Sequence, residues 1–349
     1  MPLFEIALFG IGLLLLVKGA DLFVASASSI AKKLGVSEFI IGLTLVSIGT
    51  SIPELASSIT ASFQEASGLI IGNVIGSNIA NIGLIVGTAG VLSAVRTDEI
   101  MLKRDGYIML FSTLIFFLFG LDFRISRLEA LIFLLLYVAY ILFLFKKVHQ
   151  QNELVYFGDF LKYFFKFEYL SELRIKLGKG SKEEELGEKK GKNLLSSEEN
   201  GFSRDFLTLL ASGAAIILGA KYLVQEALFF AELLKVPEAI IGASFLAIGT
   251  SLPELMVTIT AARSGRGNIA LGNAIGSNIT NILLILGCAG LLHPLPITKL
   301  SFFYVTPFML FISLLFLFFI WTGWRIKRSE GLFLLFGYLG FIFWLFSLG

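Results

Sequence analysis

The sequence predicts an all-α polytopic membrane protein, ten transmembrane helices arranged as two inverted five-helix repeats. Three observations carry that reading. Of the 349 residues, 56% are hydrophobic and only 15% charged, for a mean hydropathy of +0.84, a balance foreign to soluble domains of this length. The apolar residues gather in ten runs of about the length a helix needs to cross ~30 Å of hydrocarbon. Residues 36–91 also align without a gap on 236–291, with roughly half the positions identical.

In chain order the runs span about 3–24, 39–62, 68–94, 106–121 and 127–145, then 206–228, 239–262, 268–292, 302–321 and 330–348. The first lacks a basic start and carries Lys18 and Asp21 at its far end, so it reads as a retained helix, not a cleaved secretory signal. The second and third hold one copy of the repeat, the seventh and eighth the other. Five spans is an odd number, so the second half enters the bilayer in the opposite sense. That inversion, about a pseudo-two-fold axis in the membrane plane, is a transporter architecture. The 35 phenylalanines suit a lipid-facing surface, and Trp321 and Trp324 beside Arg325, Lys327 and Arg328 mark an interfacial belt.

The expected organisation is an N-terminal repeat at 1–145, a cytoplasmic linker at 146–205 and a C-terminal repeat at 206–349. Within the linker, 155–177 mixes aromatic and basic residues (Tyr156, Phe160, Lys162, Tyr163, Lys166) and suits an amphipathic helix lying in the inner interface. The stretch 178–200 is almost purely Lys, Glu, Gly and Ser and is expected to be disordered. With the N-terminus outside, the inner short loops collect Lys32, Lys33, Arg96, Lys103, Arg104, Arg263, Arg266, Arg325, Lys327 and Arg328. The outer side keeps only Arg124, Arg127, Lys235 and Lys299. Basic residues accumulate in the cytoplasm, so both termini are expected outside. A net charge of +2 leaves no footprint for nucleic acid, and no obligatory protein partner is evident; the lipid bilayer is the partner the composition demands. The single cysteine, Cys288, forms no intramolecular disulfide.

Each repeat copy sets a carboxylate inside an apolar run, where an isolated charge is costly. Gly49-Thr50-Ser51-Ile52-Pro53-Glu54-Leu55 returns as Gly249-Thr250-Ser251-Leu252-Pro253-Glu254-Leu255. The tails run Gly72-Asn73-Val74-Ile75-Gly76-Ser77-Asn78-Ile79-Ala80-Asn81 and Gly272-Asn273-Ala274-Ile275-Gly276-Ser277-Asn278-Ile279-Thr280-Asn281. Pro53 and Pro253 offer no N–H to Gly49 and Gly249, so carbonyls around Ser47–Gly49 and Ala247–Gly249 are expected to be freed at mid-membrane depth. Thr50, Ser51 and Glu54 share a helical face, as do Thr250, Ser251 and Glu254. Ser77 with Asn81, and Ser277 with Asn281, are spaced i, i+4 and add hydroxyl and amide oxygens. The set is all oxygen, which suits Na⁺ and Ca²⁺ and argues against zinc or copper. His149 and His293 fall in loops and are not ligands. The pairs Gly72/Gly76 and Gly272/Gly276 read as helix-packing faces, Asn78 and Asn278 as ties between helices.

At these residues the chain resembles the Na⁺/Ca²⁺ exchanger family of the cation/Ca²⁺ antiporter superfamily, whose paired alpha repeats the two motif regions resemble over nearly the whole chain. The resemblance implies secondary active antiport of Na⁺ against Ca²⁺ by alternating access, with four cation sites clustered at mid-membrane. Ca²⁺ would be held by Thr50, Glu54, Thr250 and Glu254. Na⁺ would use the same four with Ser51, Ser77, Ser251, Ser277 and the carbonyls of Ser47 and Ala247, while Asn81 and Asn281 face the middle site. Many relatives carry Asp where this chain has Asn281; with amides at both middle positions only two carboxylates remain, which favours a Na⁺-only mechanism over K⁺ co-transport. No cofactor is implied beyond the transported ions, and no catalysis. The expected location is the cytoplasmic (inner) membrane of a prokaryote. Two other readings of the same residues stay open: an H⁺/Ca²⁺ or H⁺/Mn²⁺ antiporter in which both glutamates protonate, and a cation channel.

Overall fold

The computed structural model describes residues 2–63, 67–97, 99–148, 156–170, 196–233 and 251–348. Helix α1 (Pro2–Leu34) runs well past the predicted end at 24, because neither glycine nor proline occurs between there and Gly35, whose φ of +64° ends it. Helices α2 (Glu38–Thr50) and α3 (Ile52–Phe63) form one span bent by 42° at Ser51. Pro53 accounts for the bend, since its ring and missing N–H disrupt the turn that precedes it. There follow α4 (67–92), strand β1 (Val95–Arg96), α5 (101–119), β2 (Arg124–Ile125), α6 (Arg127–Val148) and the short α7 (Phe157–Phe165). The second half comprises α8 (Ser196–Leu233), α9 (Leu252–Arg263), α10 (267–292), β3 (Leu295–Pro296), α11 (301–323), β4 (Arg325–Ile326) and α12 (Arg328–Leu348).

Among the described residues, eight helices are long and apolar enough to cross a membrane, and the bent α2–α3 pair raises the number to nine. Large apolar side chains cover the exterior, among them Phe311, Phe318, Phe333, Phe336 and Phe343, as a hydrocarbon solvent requires. The protein is thus a multi-pass integral membrane protein.

The two halves repeat one another in detail. π-Helical turns occur at Asn81–Val86 and Asn281–Ile285, and again at Met101–Gly106 and Ser301–Val305. Each of the first pair begins at a motif asparagine, and such widened turns often mark functional positions. Two antiparallel bridges join the halves reciprocally: Val95 pairs with Ile326 and Arg96 with Arg325, while Arg124 pairs with Pro296 and Ile125 with Leu295. Strands of two residues carry no readable periodicity, so the sequence does not announce them.

Backbone proximity holds the centre together. A Cβ added to Gly272 would lie 2.5 Å from the Phe39 carbonyl, and one on Gly276 2.5 Å from that of Leu43, so α10 packs main chain against α2. An added Cβ at Gly72 or Gly76 meets nothing within 4 Å among the described residues. The segment matching α2 in the second repeat lies in 234–250, outside those residues.

The linker departs from expectation at both ends. The expected interfacial helix over 155–177 is broken: α7 stops at Phe165, Phe167 takes a left-handed φ of 55°, helix resumes at 168–170, and 171–177 lie outside the described residues. Its Phe160 is buried edge-on against Tyr140 and Phe143 of α6 at centroid distances of 6.2 and 5.6 Å, while Phe157 meets Phe111 of α5 at 5.3 Å. Residues 196–200 are helical, not disordered, and begin α8. The remainder of the expected disordered stretch, 178–195, lies outside the described residues.

Candidate functional site

The break at Ser51 starts a new helix in the middle of a span. Glu54 falls in the first turn of α3 and Glu254 in the first turn of α9, each where helical N–H groups and the macrodipole favour a negative charge. Both are inside the protein, 1% and 2% exposed. Thr50, Ser51, Ser251, Ser77, Ser277, Asn81, Asn281 and Ser47 are buried beside them. Thr250 and Ala247 lie outside the described residues.

Contacts across the halves repeat about the pseudo-two-fold. The Ser51 hydroxyl donates to Glu254 Oε1 at 3.1 Å and lies 3.3 Å from Ser277 Oγ; its counterpart Ser251 donates to Ser77 Oγ at 3.2 Å. Four asparagines continue the pattern on α4 and α10. Asn81 Nδ2 donates to Asn278 Oδ1, and Asn281 Nδ2 to Asn78 Oδ1, both at 3.0 Å. Asn78 Nδ2 reaches the main-chain carbonyl of Asn278 at 3.3 Å. Asn78 and Asn278 therefore tie the two repeats together.

One expectation is corrected. The Ser47 carbonyl is not freed by the proline: it accepts from Ser51 N–H at 3.0 Å and from Thr50 Oγ1 at 3.3 Å. The acceptor that loses its donor to Pro53 is that of Gly49, four residues earlier. The Ser47 hydroxyl is spent on its own helix, donating to Leu43 O at 2.6 Å.

Sequence reasoning passed over Asn273. Its Oδ1 accepts from the Thr50 hydroxyl at 3.1 Å, and its Nδ2 donates to Thr258 Oγ1 at 3.0 Å and the Glu254 carbonyl at 3.4 Å. It thus couples a threonine of one half to the glutamate helix of the other. The available signal was its identity with Asn73 in the repeat.

Three buried oxygens in this cluster have no donor among the described residues: Glu254 Oε2, Asn81 Oδ1 and Asn281 Oδ1. A buried acceptor left unsatisfied costs about 1–3 kcal/mol, and a cation is one partner that would satisfy it. Two buried carboxyl groups among hydroxyl and amide oxygens are a donor set that suits hard cations.

The family profile described as sodium/calcium exchanger protein matches residues 4–146 and 205–347. Over 338 residues the chain is 56% identical to the sodium/calcium exchanger MaX1 of Methanosarcina acetivorans, covering 96% of this chain and 97% of that one. It is 33% identical to the inner membrane protein YrbG of Escherichia coli over 350 residues, 97% and 95% of the two chains. Among solved structures, that of the sodium-calcium exchanger NCX_Mj soaked with 10 mM Na⁺ and zero Ca²⁺ has a TM-score of 0.77 at 29% identity, covering 98% of this chain and 99% of that one. Two matched segments, each containing one copy of the motif and each supplying one buried glutamate, establish that the chain belongs to the sodium/calcium exchanger family of the cation/Ca²⁺ antiporter superfamily.

Proposed function

We propose that this protein is a secondary active antiporter exchanging Na⁺ for Ca²⁺ across the membrane by alternating access at a shared two-glutamate site. The observation that carries the reading is the cluster of donorless oxygens on Glu254, Asn81 and Asn281, drawn from both halves and buried in the bundle. Glu54 and Glu254, with Thr50 and Thr250, hold Ca²⁺. Ser51, Ser77, Ser251, Ser277 and the carbonyl of Ala247 join them for Na⁺, and Asn81 and Asn281 face the middle site. Two carboxylates supply about −2, which one Ca²⁺ neutralises and two or three Na⁺ match or slightly exceed. The two cargoes therefore compete, and the loaded protein carries one kind or the other. The hydrogen bond from Ser51 to Glu254 links the halves, so an ion coordinated by that hydroxyl and that carboxylate would draw ligands from both. Crossing with the site empty would carry two uncompensated carboxylates through the bilayer, which enforces exchange over leak.

The architecture that serves this reading is ten spans in two inverted sets of five. The nine candidate spans and α9, the second half of a tenth broken one, support it. The repeats occupy 1–145 and 206–349 around a cytoplasmic linker at 146–205, in accord with the two matched segments. Both termini lie outside. The basic residues of the inner loops support that assignment, and the bridges fit the alternation of sides, since β1 and β4 come from loops on one side and β2 and β3 from loops on the other. Relatives in Methanosarcina acetivorans and Escherichia coli favour the cytoplasmic membrane of a prokaryote.

The test is radioactive Ca²⁺ uptake into proteoliposomes under an imposed Na⁺ gradient with pH clamped on both sides. Uptake that follows the Na⁺ gradient is expected. Uptake that ignores Na⁺ and follows a proton gradient would replace this reading with H⁺/Ca²⁺ exchange, and passive equilibration without coupling would make the protein a channel.

A further inference from the structure

We propose that Asn78 and Asn278 are positioning residues that fix which end of the Asn81 and Asn281 amides faces the transported ions; this rests on the exchange reading above. An amide is nearly symmetric in shape, and rotation by half a turn exchanges a carbonyl ligand for an NH₂ group that repels cations. Something must hold the rotation, and the bonds around the four asparagines do so through groups that accept and do not donate.

The first anchor is the main-chain carbonyl of Asn278. That oxygen only accepts, so Asn78 presents Nδ2 to it at 3.3 Å and turns Oδ1 the other way. Oδ1 of Asn78 in turn only accepts, which draws in Nδ2 of Asn281 at 3.0 Å. The Asn281 carbonyl is left over, buried and without a donor. On the opposite side the starting point is the Met109 thioether of α5, also a weak acceptor with no proton to give. Asn278 Nδ2 lies 3.5 Å from Met109 Sδ, so its Oδ1 faces Asn81 Nδ2 at 3.0 Å. The Asn81 carbonyl is then the second one left over. Turning any one amide would set NH₂ against NH₂ or oxygen against oxygen inside the protein. Two acceptor-only groups thus impose one polarity on the whole network, and both spare oxygens stay buried with no donor among the described residues, free to accept a cation. The network spans α4 and α10, so the middle ligands are coupled to both helices.

The test compares wild type, Asn278→Ala, Asn81→Ala and the double variant by calorimetric Na⁺ binding in detergent, alongside Na⁺-driven Ca²⁺ flux. Loss of a partner behind a ligand weakens ion binding by about tenfold in known metal sites, and a similar weakening is expected for Asn278→Ala. Because Asn278 acts through Asn81, adding Asn278→Ala to Asn81→Ala should cause no further loss. Met109→Leu, a volume-conserving change that removes only the sulfur acceptor, should weaken Na⁺ binding in the same direction by less; it carries the test if Asn278→Ala does not fold. Unchanged Na⁺ affinity in the folded variants, or losses that add in the double variant, would overturn the proposal. A wild type that binds Na⁺ yet drives no Ca²⁺ flux would instead remove the exchange reading and leave the positioning role intact.

Discussion

Glu54 and Glu254 are charges the membrane interior tolerates only because each begins a helix among hydroxyl and amide groups. Glu54→Gln and Glu254→Gln keep the shape and one carbonyl oxygen but remove half the charge that offsets Ca²⁺ dehydration. Each should reduce Ca²⁺ flux to background in proteoliposomes while its melting temperature is unchanged or higher, because a buried carboxylate is costly when no ion is bound. Pseudo-symmetry requires both to fail alike, and near-normal flux in either would dismantle the shared site. Asn281→Asp makes a different demand. A third acid at this position is neutral at low pH, where it resembles the amide, and charged at high pH. The variant's flux should therefore match wild type in acid and diverge as pH rises, read as a ratio of the two pH profiles. A constant ratio would mean that residue 281 does not face the ions.

At the scale of elements, the contact of α10 with α2 has no slack. Gly276→Ala would bring a methyl group within 2.5 Å of the Leu43 carbonyl and 2.6 Å of Ser47 Oγ. Overpacking of this kind costs about 1–3 kcal/mol, so a lower melting temperature is expected together with impaired flux, since Ser47 must shift. A second element-level feature breaks the symmetry. Asp105, fully buried in the π turn of α5, holds Arg104 through Nη2 at 2.9 Å and accepts from the Tyr140 hydroxyl at 3.2 Å. The matching positions in the second half are Tyr304 and Val305. Asp105→Ala removes the carboxylate from this buried ion pair and the acceptor from the Tyr140 hydroxyl, and should destabilise the protein in thermal or denaturant unfolding. Replacing both residues by their repeat counterparts, Arg104→Tyr with Asp105→Val, should recover most of that loss. Failure to recover would assign the pair a role beyond neutralising itself.

The whole molecule depends on orientation and on two repeats acting as one. Cysteines introduced at Ser67 and Gly349 should react with impermeant thiol reagents added outside, and one at Ser196 only after the membrane is opened. Outside labelling at Ser196 would reverse the assignment of both termini. Deleting 180–195, which spares α8 from Ser196 onward, should leave flux largely intact, because a segment this polar brings no core with it. Loss of transport in a well-expressed deletion would mean that the linker couples the halves.

Composition, run length and the gapless repeat were sufficient by themselves to determine the membrane class, the two related halves and the pair of glutamates. These are local properties, written in hydropathy and in residues a fixed distance apart. Pro53 likewise announced a broken helix before any coordinate was known. What tertiary structure alone decided is which oxygens meet. Ser51 with Glu254, Asn81 with Asn278 and Thr50 with Asn273 are each separated by about 200 residues, and their distances follow from how two halves dock about a pseudo-two-fold axis. The Ser47 carbonyl, expected free, is retained by the local helix, and Asn273 enters the site because glycines at 272 and 276 let α10 approach α2 at main-chain distance. No periodicity encodes such a separation; it is a property of packed surfaces, and it turns a list of oxygen-bearing residues into one site.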